Sequence, residues 1–296
     1  MQIVDKSTIF IDQVNKMKVN IVIDSTFDLL PQYKEQTTVV PLRVIFDQEE
    51  YVDTVDLTHE MFYEKLVESD VLPRTSQASP SDFERVFSAM AQAGESAVVL
   101  TLSSTLSGTY QSACIAATEY PNIYVVDTKT AAIGGGILAQ RALQLVAEGL
   151  DAATIAQRLE QEKQRVCIVA LVDTLEYLKR GGRLSKAAAI AGGLLNIKPV
   201  LSLRLGEITV LGKARGSKQG NNLLVCEMEK AGGVDFTYPI LLGYTGLSDA
   251  LLQKYMIDSA PLWQAYKDRL PTTIIGSVIG THVGPGAVAV AFFKNV

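Results

Sequence analysis

The chain has 296 residues, 48% of them hydrophobic and 20% charged, with a formal net charge of −5. That length and apolar content support one large or two medium domains with a substantial core, and the acidic balance excludes the concentrated basic surface that nucleic-acid binding needs. The three cysteines, Cys114, Cys167 and Cys226, are odd in number and far apart, which argues against a disulfide framework and for a reducing, cytoplasmic setting.

Met1 to Lys18 mix Asp5, Lys6, Asp12, Lys16 and Lys18 with apolar residues, so no signal-peptide core is read there. Val19 to Ile23 predicts a strand, and the polar residues Asp24, Ser25 and Thr26 lead into a helix from about Asp28 to Lys34. Thr38 to Ile45 is a second apolar run with a break at Pro41. Thr58 is placed to cap a helix reaching about Glu68. Leu72 to Pro80 reads as a loop, ending with Ser79 as N-cap and Pro80 at the first helical position. Phe83, Val86, Phe87 and Met90 then recur at helical spacing.

Ala97 to Leu102 predicts a buried strand, followed by a hydroxyl-rich turn and a helix through Ala117. Ile123 to Val126 is a strand, Ala132 to Glu148 and Asp151 to Lys163 are helices, and Val166 to Val172 is a strand again. Strands alternating with helices imply an α/β protein with a mostly parallel sheet covered on both faces. A short helix at Leu175 to Lys179 follows, then Ser185 capping Ala187 to Asn196. Val200 to Leu205 and Ile208 to Leu211 flank Gly206-Glu207 as a hairpin. Asn221 to Ala231 reads as helix, Tyr238 to Tyr244 as strand and Ser248 to Met256 as helix. The uncharged stretch from Pro271 to Phe293 is long enough to span a bilayer, but Ser277, Thr281, His282 and Gly284-Pro285-Gly286 argue instead for two buried strands around a tight turn. No integral membrane segment is therefore expected, and transient contact with a membrane stays open. The division that results is an extension over 1–17, an N-terminal α/β lobe over 18–165 and a C-terminal α/β lobe over 166–296.

Gly134-Gly135-Gly136-Ile137-Leu138-Ala139 matches the dinucleotide pattern G-x-G-x-x-A, yet the preceding strand ends about seven residues earlier and the chain stays helical to Glu148. Close helix packing is the better account. The histidines are His59 and His282, and no C-x-x-C is present, so a metal centre is not expected. The G-x-S-x-G and Walker A patterns are absent as well. What remains is a set of small hydroxyl residues at element ends: Thr75 and Ser76; Ser103, Ser104 and Ser107; and Thr281 with His282 before Gly284-Pro285-Gly286. Such groups can hold a carboxylate by several neutral hydrogen bonds, although each taken singly is ordinarily a cap or turn residue.

Six segments in order resemble the DegV family, whose members serve as fatty-acid-binding proteins: Ile23-Asp24-Ser25-Thr26, Arg74-Thr75-Ser76-Gln77, the run Leu102 to Ala113, the run Tyr177 to Leu184, Ile197-Lys198-Pro199-Val200-Leu201 and the run Gly280 to Gly286. The resemblance spans Lys18 to Val296. It implies a two-lobed DegV-like α/β fold with an acyl chain, such as that of palmitate, held between the lobes, and no catalysis by this chain. It implies that the carboxylate is hydrogen-bonded by Thr75 and by a serine of the Ser103–Ser107 segment, Ser107 being favoured and Ser104 the alternative. His282 is implied near the same head group, with Ser76 and Thr281 completing the set. It further implies a partner, the separate kinase of the bacterial fatty-acid kinase system, which phosphorylates the presented carboxylate for phospholipid synthesis; Arg183 and Arg215 are candidates for docking it. Two departures stand out: Ala78 replaces the family proline after T-S-Q, and Gly216-Ser217-Lys218-Gln219 replaces the usual Thr and Lys pair after K-x-R. The small-residue helix expected at Ala187 to Leu195 suits either a narrow tunnel wall or an ordinary core. Two other readings are kept: a lipid-sensing interaction module, and an enzyme acting on nucleotides or esters.

Overall fold

The computed structural model describes residues 17–184, 197–264, 266 and 269–296. The helix expected at Ala187 to Asn196, with its Ser185 cap, lies outside them. The chain opens with β1 (Val19–Asp24), α1 (Pro31–Lys34), β2 (Thr37–Val40), β3 (Arg43–Phe46), β4 (Glu49–Val52), α2 (His59–Glu68), β5 (Arg74–Ser76) and α3 (Pro80–Gln92). It continues through β6 (Ser96–Thr101), α4 (Thr109–Ala117), β7 (Ile123–Asp127), α5 (Ala132–Ala147), α6 (Ala152–Glu162) and β8 (Val166–Leu171). The remainder is α7 (Glu176–Arg180), β9 (Ile197–Arg204), β10 (Glu207–Arg215), α8 (Gly216–Lys230), β11 (Leu241–Tyr244), α9 (Ala250–Asp258), β12 (Thr272–Ile274), α10 (Ser277–Val283) and β13 (Val288–Phe293).

Strands β2-β1-β6-β7 form an all-parallel sheet. Both faces are covered, as parallel strands require. Ile21, Ile23, Val98 and Leu100 point to one side, against Ile137 and Leu138 of α5 and Leu159 of α6. Val22 and Val99 point to the other, against Phe62, Phe83 and Phe87 of α2 and α3. This alternation of successive residues between two buried faces is the period of a strand. A small antiparallel sheet, β4-β3-β5, flanks this lobe.

The second lobe is built on a six-stranded sheet in the order β10-β9-β8-β13-β11-β12. All its pairings are antiparallel except β11 with β12. Cys167, Val169 and Leu171 of β8 pack with Leu224 and Met228 of α8 and Leu252 and Tyr255 of α9. The opposite face of β8, through Ile168, belongs to the core of the first lobe. Helix α5 makes this continuity, because it packs on β1 and β6 of one sheet and on β8, β11 and β13 of the other.

The three glycines of α5 permit that approach. A Cβ on Gly136 would stand 2.0 Å from the Asp28 carbonyl oxygen, and one on Gly135 would stand 2.4 Å from the Phe27 ring. Close packing is thus what the glycine cluster does. The β9–β10 hairpin turns on Leu205 and Gly206, both with positive φ (51° and 82°), the geometry in which a two-residue turn matches strand twist.

Several expectations need correction. The first helix starts at Pro31 rather than Asp28, because Leu30, which precedes the proline, is held extended at φ −66°, ψ 147°. The Asp28 carboxylate instead turns inward to accept the Gly276 N–H. The loop expected over Leu72 to Pro80 contains β5, whose backbone partners come from β3. The stretch Pro271 to Phe293 is not two strands around a turn but β12, α10 and β13 in succession. Ser277, Val278, Gly280 and Thr281 of α10 are all buried, so this seven-residue helix carries no polar stripe to announce it. Helix α8 begins at Gly216 rather than Asn221, and β11 at Leu241 rather than Tyr238.

Candidate functional site

A cavity of about 380 Å³ is lined by both lobes. Its apolar wall draws on the inner face of the second sheet, through Ile168 and Ala170 of β8, Leu201 and Leu203 of β9 and Ala289 of β13. The first lobe closes it with Leu42, Leu102, Leu106 and the start of α5. The small side chains Ala170 and Ala289 keep the space open where branched residues would fill it.

The polar part of the wall is contiguous. Thr75, on β5, lies with its Oγ1 2.8 Å from His282 Nε2 on α10. Gly181 stands so close to the other side of the His282 ring that a Cβ there would meet Nδ1 at 2.3 Å. Arg183 donates from Nη1 to the Gly181 carbonyl at 2.6 Å and from Nε to the Leu106 carbonyl at 3.2 Å. Ser107 and Gly108 follow Leu106, and a Cβ on Gly108 would collide with the Gln77 side chain at 2.1 Å. Gln77 is two residues from Thr75, so the ring of contacts closes on itself. Thr75, Ser76, Gln77, Ser107, Gly108, Arg183 and His282 all line the cavity.

Burial pushes the His282 imidazole down to about 4, and the nearby Arg183 charge adds to this, so the ring is neutral at pH 7. Its Nδ1 is buried and has no hydrogen-bond partner among the described residues. A buried N–H without an acceptor is rarer than an unused acceptor lone pair. We therefore assign the proton to Nε2, which donates to Thr75 Oγ1. The Thr75 hydroxyl proton is then released to point into the cavity. Ser107 Oγ accepts from the Thr109 N–H at 3.3 Å and lies 2.9 Å from Thr109 Oγ1, in a local turn that leads into α4. The site thus offers neutral hydroxyl donors beside one guanidinium.

Three of the expected residues stand elsewhere. Ser104 accepts from Lys129 Nζ at 2.9 Å, its backbone N–H goes to Asp127 Oδ1, and it is not in the cavity wall. Thr281 donates its hydroxyl to the Ser277 carbonyl one turn back, also outside the wall. Arg215 ends β10 on the surface, where its backbone N–H meets Gln219 Oε1. Gln77 is the wall residue that motif reading quoted without giving it a role; its position after Thr75 and Ser76 on an irregular segment was the available signal. Among the described residues no group of His, Cys, Asp and Glu could hold a metal ion. Among them also no helix is long and apolar enough to cross a membrane.

A parallel sheet and a largely antiparallel sheet share one core beside an apolar cavity whose wall carries hydroxyl donors and one guanidinium, which defines a mixed α/β protein. Residues 18–295 match the family model described as "Uncharacterised protein, DegV family". The chain belongs to the DegV family. It is 35% identical over 281 residues to a DegV domain-containing protein of Caldanaerobacter subterraneus, covering 93% of this chain and 98% of that one. Among solved structures it is similar to a DegV family protein from Thermus thermophilus described for fatty-acid binding, with TM-score 0.84, 32% identity and coverage of 94% and 100% of the two chains. It is also similar to a stearic-acid-binding protein from Eubacterium ventriosum, with TM-score 0.83, 28% identity and coverage of 93% and 98%. Those structures are described as fatty-acid-binding proteins and not as enzymes.

Proposed function

We propose that this chain binds one long-chain fatty acid between an N-terminal lobe (18–165) and a C-terminal lobe (166–296) and performs no catalysis on it. The observation that carries this reading is the cavity of about 380 Å³ whose largely apolar wall includes the contiguous Thr75, His282, Arg183 and Ser107 group. Burying each CH₂ contributes about 0.8 kcal/mol, so a palmitoyl chain gains roughly 10 kcal/mol on leaving water. Ordering and association offset much of that gain. The head group then requires orientation more than binding energy, and hydroxyl donors with Arg183 alongside suffice. Thr75 and Ser107 donate to the carboxylate, while His282 orients Thr75.

The fatty-acid-binding relatives support the ligand class. A finer reading extends it: the bound carboxylate is presented to a separate fatty-acid kinase, which transfers a phosphoryl group to it, and the acyl phosphate passes on to phospholipid synthesis. Arg183 supports this reading, because it is exposed at the head-group end of the cavity. Arg215, exposed at the end of β10, is the second docking candidate. The first reading is tested by mass spectrometry of the denatured protein after purification from its own cells. Release of one equivalent of a long-chain fatty acid is expected. An empty protein that also takes up no palmitate in a titration would reject it.

A further inference from the structure

A second cluster of buried polar groups lies at the opposite end of α10 from His282. Asp28, in the loop after β1, and Asp53, in the turn after β4, are 4% and 0% exposed. Asp28 Oδ1 accepts the Gly276 N–H at 2.8 Å, just before α10 begins, but Asp28 Oδ2 has no partner among the described residues. Neither oxygen of Asp53 makes a hydrogen bond of good geometry, although the Ser25 and Ser277 hydroxyls and the Thr54 N–H stand beside it. Ser277 Oγ, at the first residue of α10 and fully buried, is unpaired as well. Three carboxylate oxygens and a hydroxyl without partners in a dry interior cost several kcal/mol if both acids are charged. Asp24, next to them, differs: it accepts from the Thr26 N–H, the Thr26 hydroxyl and the Leu102 N–H, which suits an ionised carboxylate.

The charged and titratable groups around the pair offer little compensation. Lys34 of α1 acts on both acids but is exposed. His59, at the start of α2, is pushed down to about 4 by burial and is neutral. Tyr63 of α2 donates to the Ile275 carbonyl, and burial keeps it protonated, as it does Tyr244 of β11. Asp24 adds like charge.

We propose that Asp28 and Asp53 form a proton-binding site: the pair holds one proton at neutral pH, and this proton supplies the donor that their unpaired oxygens lack at the start of α10. Burial raises Asp53 to about 6 and Asp28 well above the usual carboxylate range; the Asp53 charge raises Asp28 further, while the Gly276 N–H restrains Asp28 and the Ser25 and Ser277 hydroxyls, Lys34 and the Thr54 N–H restrain Asp53. The proton belongs to the pair rather than to either residue. Its loss at high pH places a second charge against the first turn of the seven-residue helix that carries His282. The site therefore links pH to the position of the head-group histidine, a consequence that rests on the lipid reading, whereas the proton site itself does not.

Infrared spectroscopy of the full chain at pH 7 tests the proton site. A protonated-carboxyl carbonyl band is expected in the wild type and should vanish in Asp28→Asn, a neutral substitute of the same shape; if that variant does not fold, the band should titrate at lower pH in Asp53→Asn. No such band in the folded wild type, or a band unchanged in the variant that folds, would overturn the proposal. The wild-type pH titration of the band requires no variant. A fluorescent polyene fatty acid reads the coupling. The ratio of its dissociation constants at about pH 8 and pH 5.5 should be about fivefold larger in wild type than in Asp53→Asn, the lower end of ordinary site-to-site coupling. Equal ratios would remove the link to α10. Absence of binding at both pH values would count against the lipid reading and leave the infrared result standing.

Discussion

Thr75 Oγ1 and His282 Nε2 meet at 2.8 Å across 207 residues of chain, joining the edge strand β5 to helix α10. This bond lets a neutral imidazole fix the direction in which a threonine donates. On the proposed reading the donors are oriented before the ligand arrives, so hydroxyls and one flanking guanidinium can hold a carboxylate at little ordering cost.

Removal of the oriented donors should weaken binding in small equal steps. Thr75→Ala and Ser107→Ala are each expected to cost about 1 kcal/mol, roughly fivefold in affinity for palmitate. Isothermal titration of the two single variants and the double variant checks this. An unchanged affinity in the double variant would take both residues out of the site.

The apolar wall should matter more than the head group. Ala170 lines the cavity between Ile168 and Val172 on the β8 edge of the wall. Ala170→Phe places a ring in the space an acyl chain would occupy. Palmitate affinity is expected to fall by more than about tenfold, since several CH₂ groups would lose their burial at about 0.8 kcal/mol each. A melting temperature near that of wild type would show that the loss is local, and retained affinity would argue against this cavity as the acyl site.

The glycines of α5 give a stability prediction. Gly136→Ala puts a methyl 2.0 Å from the Asp28 backbone carbonyl, which cannot swing aside as a side chain could. The expected cost is about 3 kcal/mol or more, read as a lowered urea midpoint. Gly182→Ala is the contrast: no atom lies within 4 Å, and only its positive φ of 69° is strained, so about 1 kcal/mol is expected.

The two histidines and the buried acids pull stability in opposite directions with pH. His59 and His282 are both held near 4 by burial, against an ordinary value of 6.5. The folded state therefore resists their protonation, and the stability they leave intact above pH 6.5 declines as pH falls toward 4, by at most about 3 kcal/mol per histidine. Asp24 is raised from 3.8 to about 6, so what it contributes is complete below 3.8 and lost as pH rises through 6. Urea denaturation at pH 4.5, 5.5 and 7 separates the two effects by difference. His59→Gln and His282→Gln should each flatten the acid-side decline relative to wild type, and identical slopes would refute the histidine assignment.

The amino-acid sequence by itself determined those elements whose stabilising contacts lie within a few residues. Thr58 caps α2 by accepting from the Met61 N–H, and Ser79 with Asp82 forms a reciprocal capping box beneath Pro80 at the start of α3. The parallel strands were equally legible, because a strand buried on both faces must be a short continuous apolar run. The ordered motifs carried the family. Only the tertiary structure decided the rest. Arg74–Ser76 is a strand because β3 supplies its backbone partners, and Ser277–Val283 is a helix with no polar face because protein surrounds it. It also decided which hydroxyls face the cavity: Ser107 does, while Ser104 is engaged by Lys129 and Thr281 by its own helix. Local composition sets which groups can donate, but their direction comes from partners tens to hundreds of residues away, whose closeness depends on how the two sheets pack around α5.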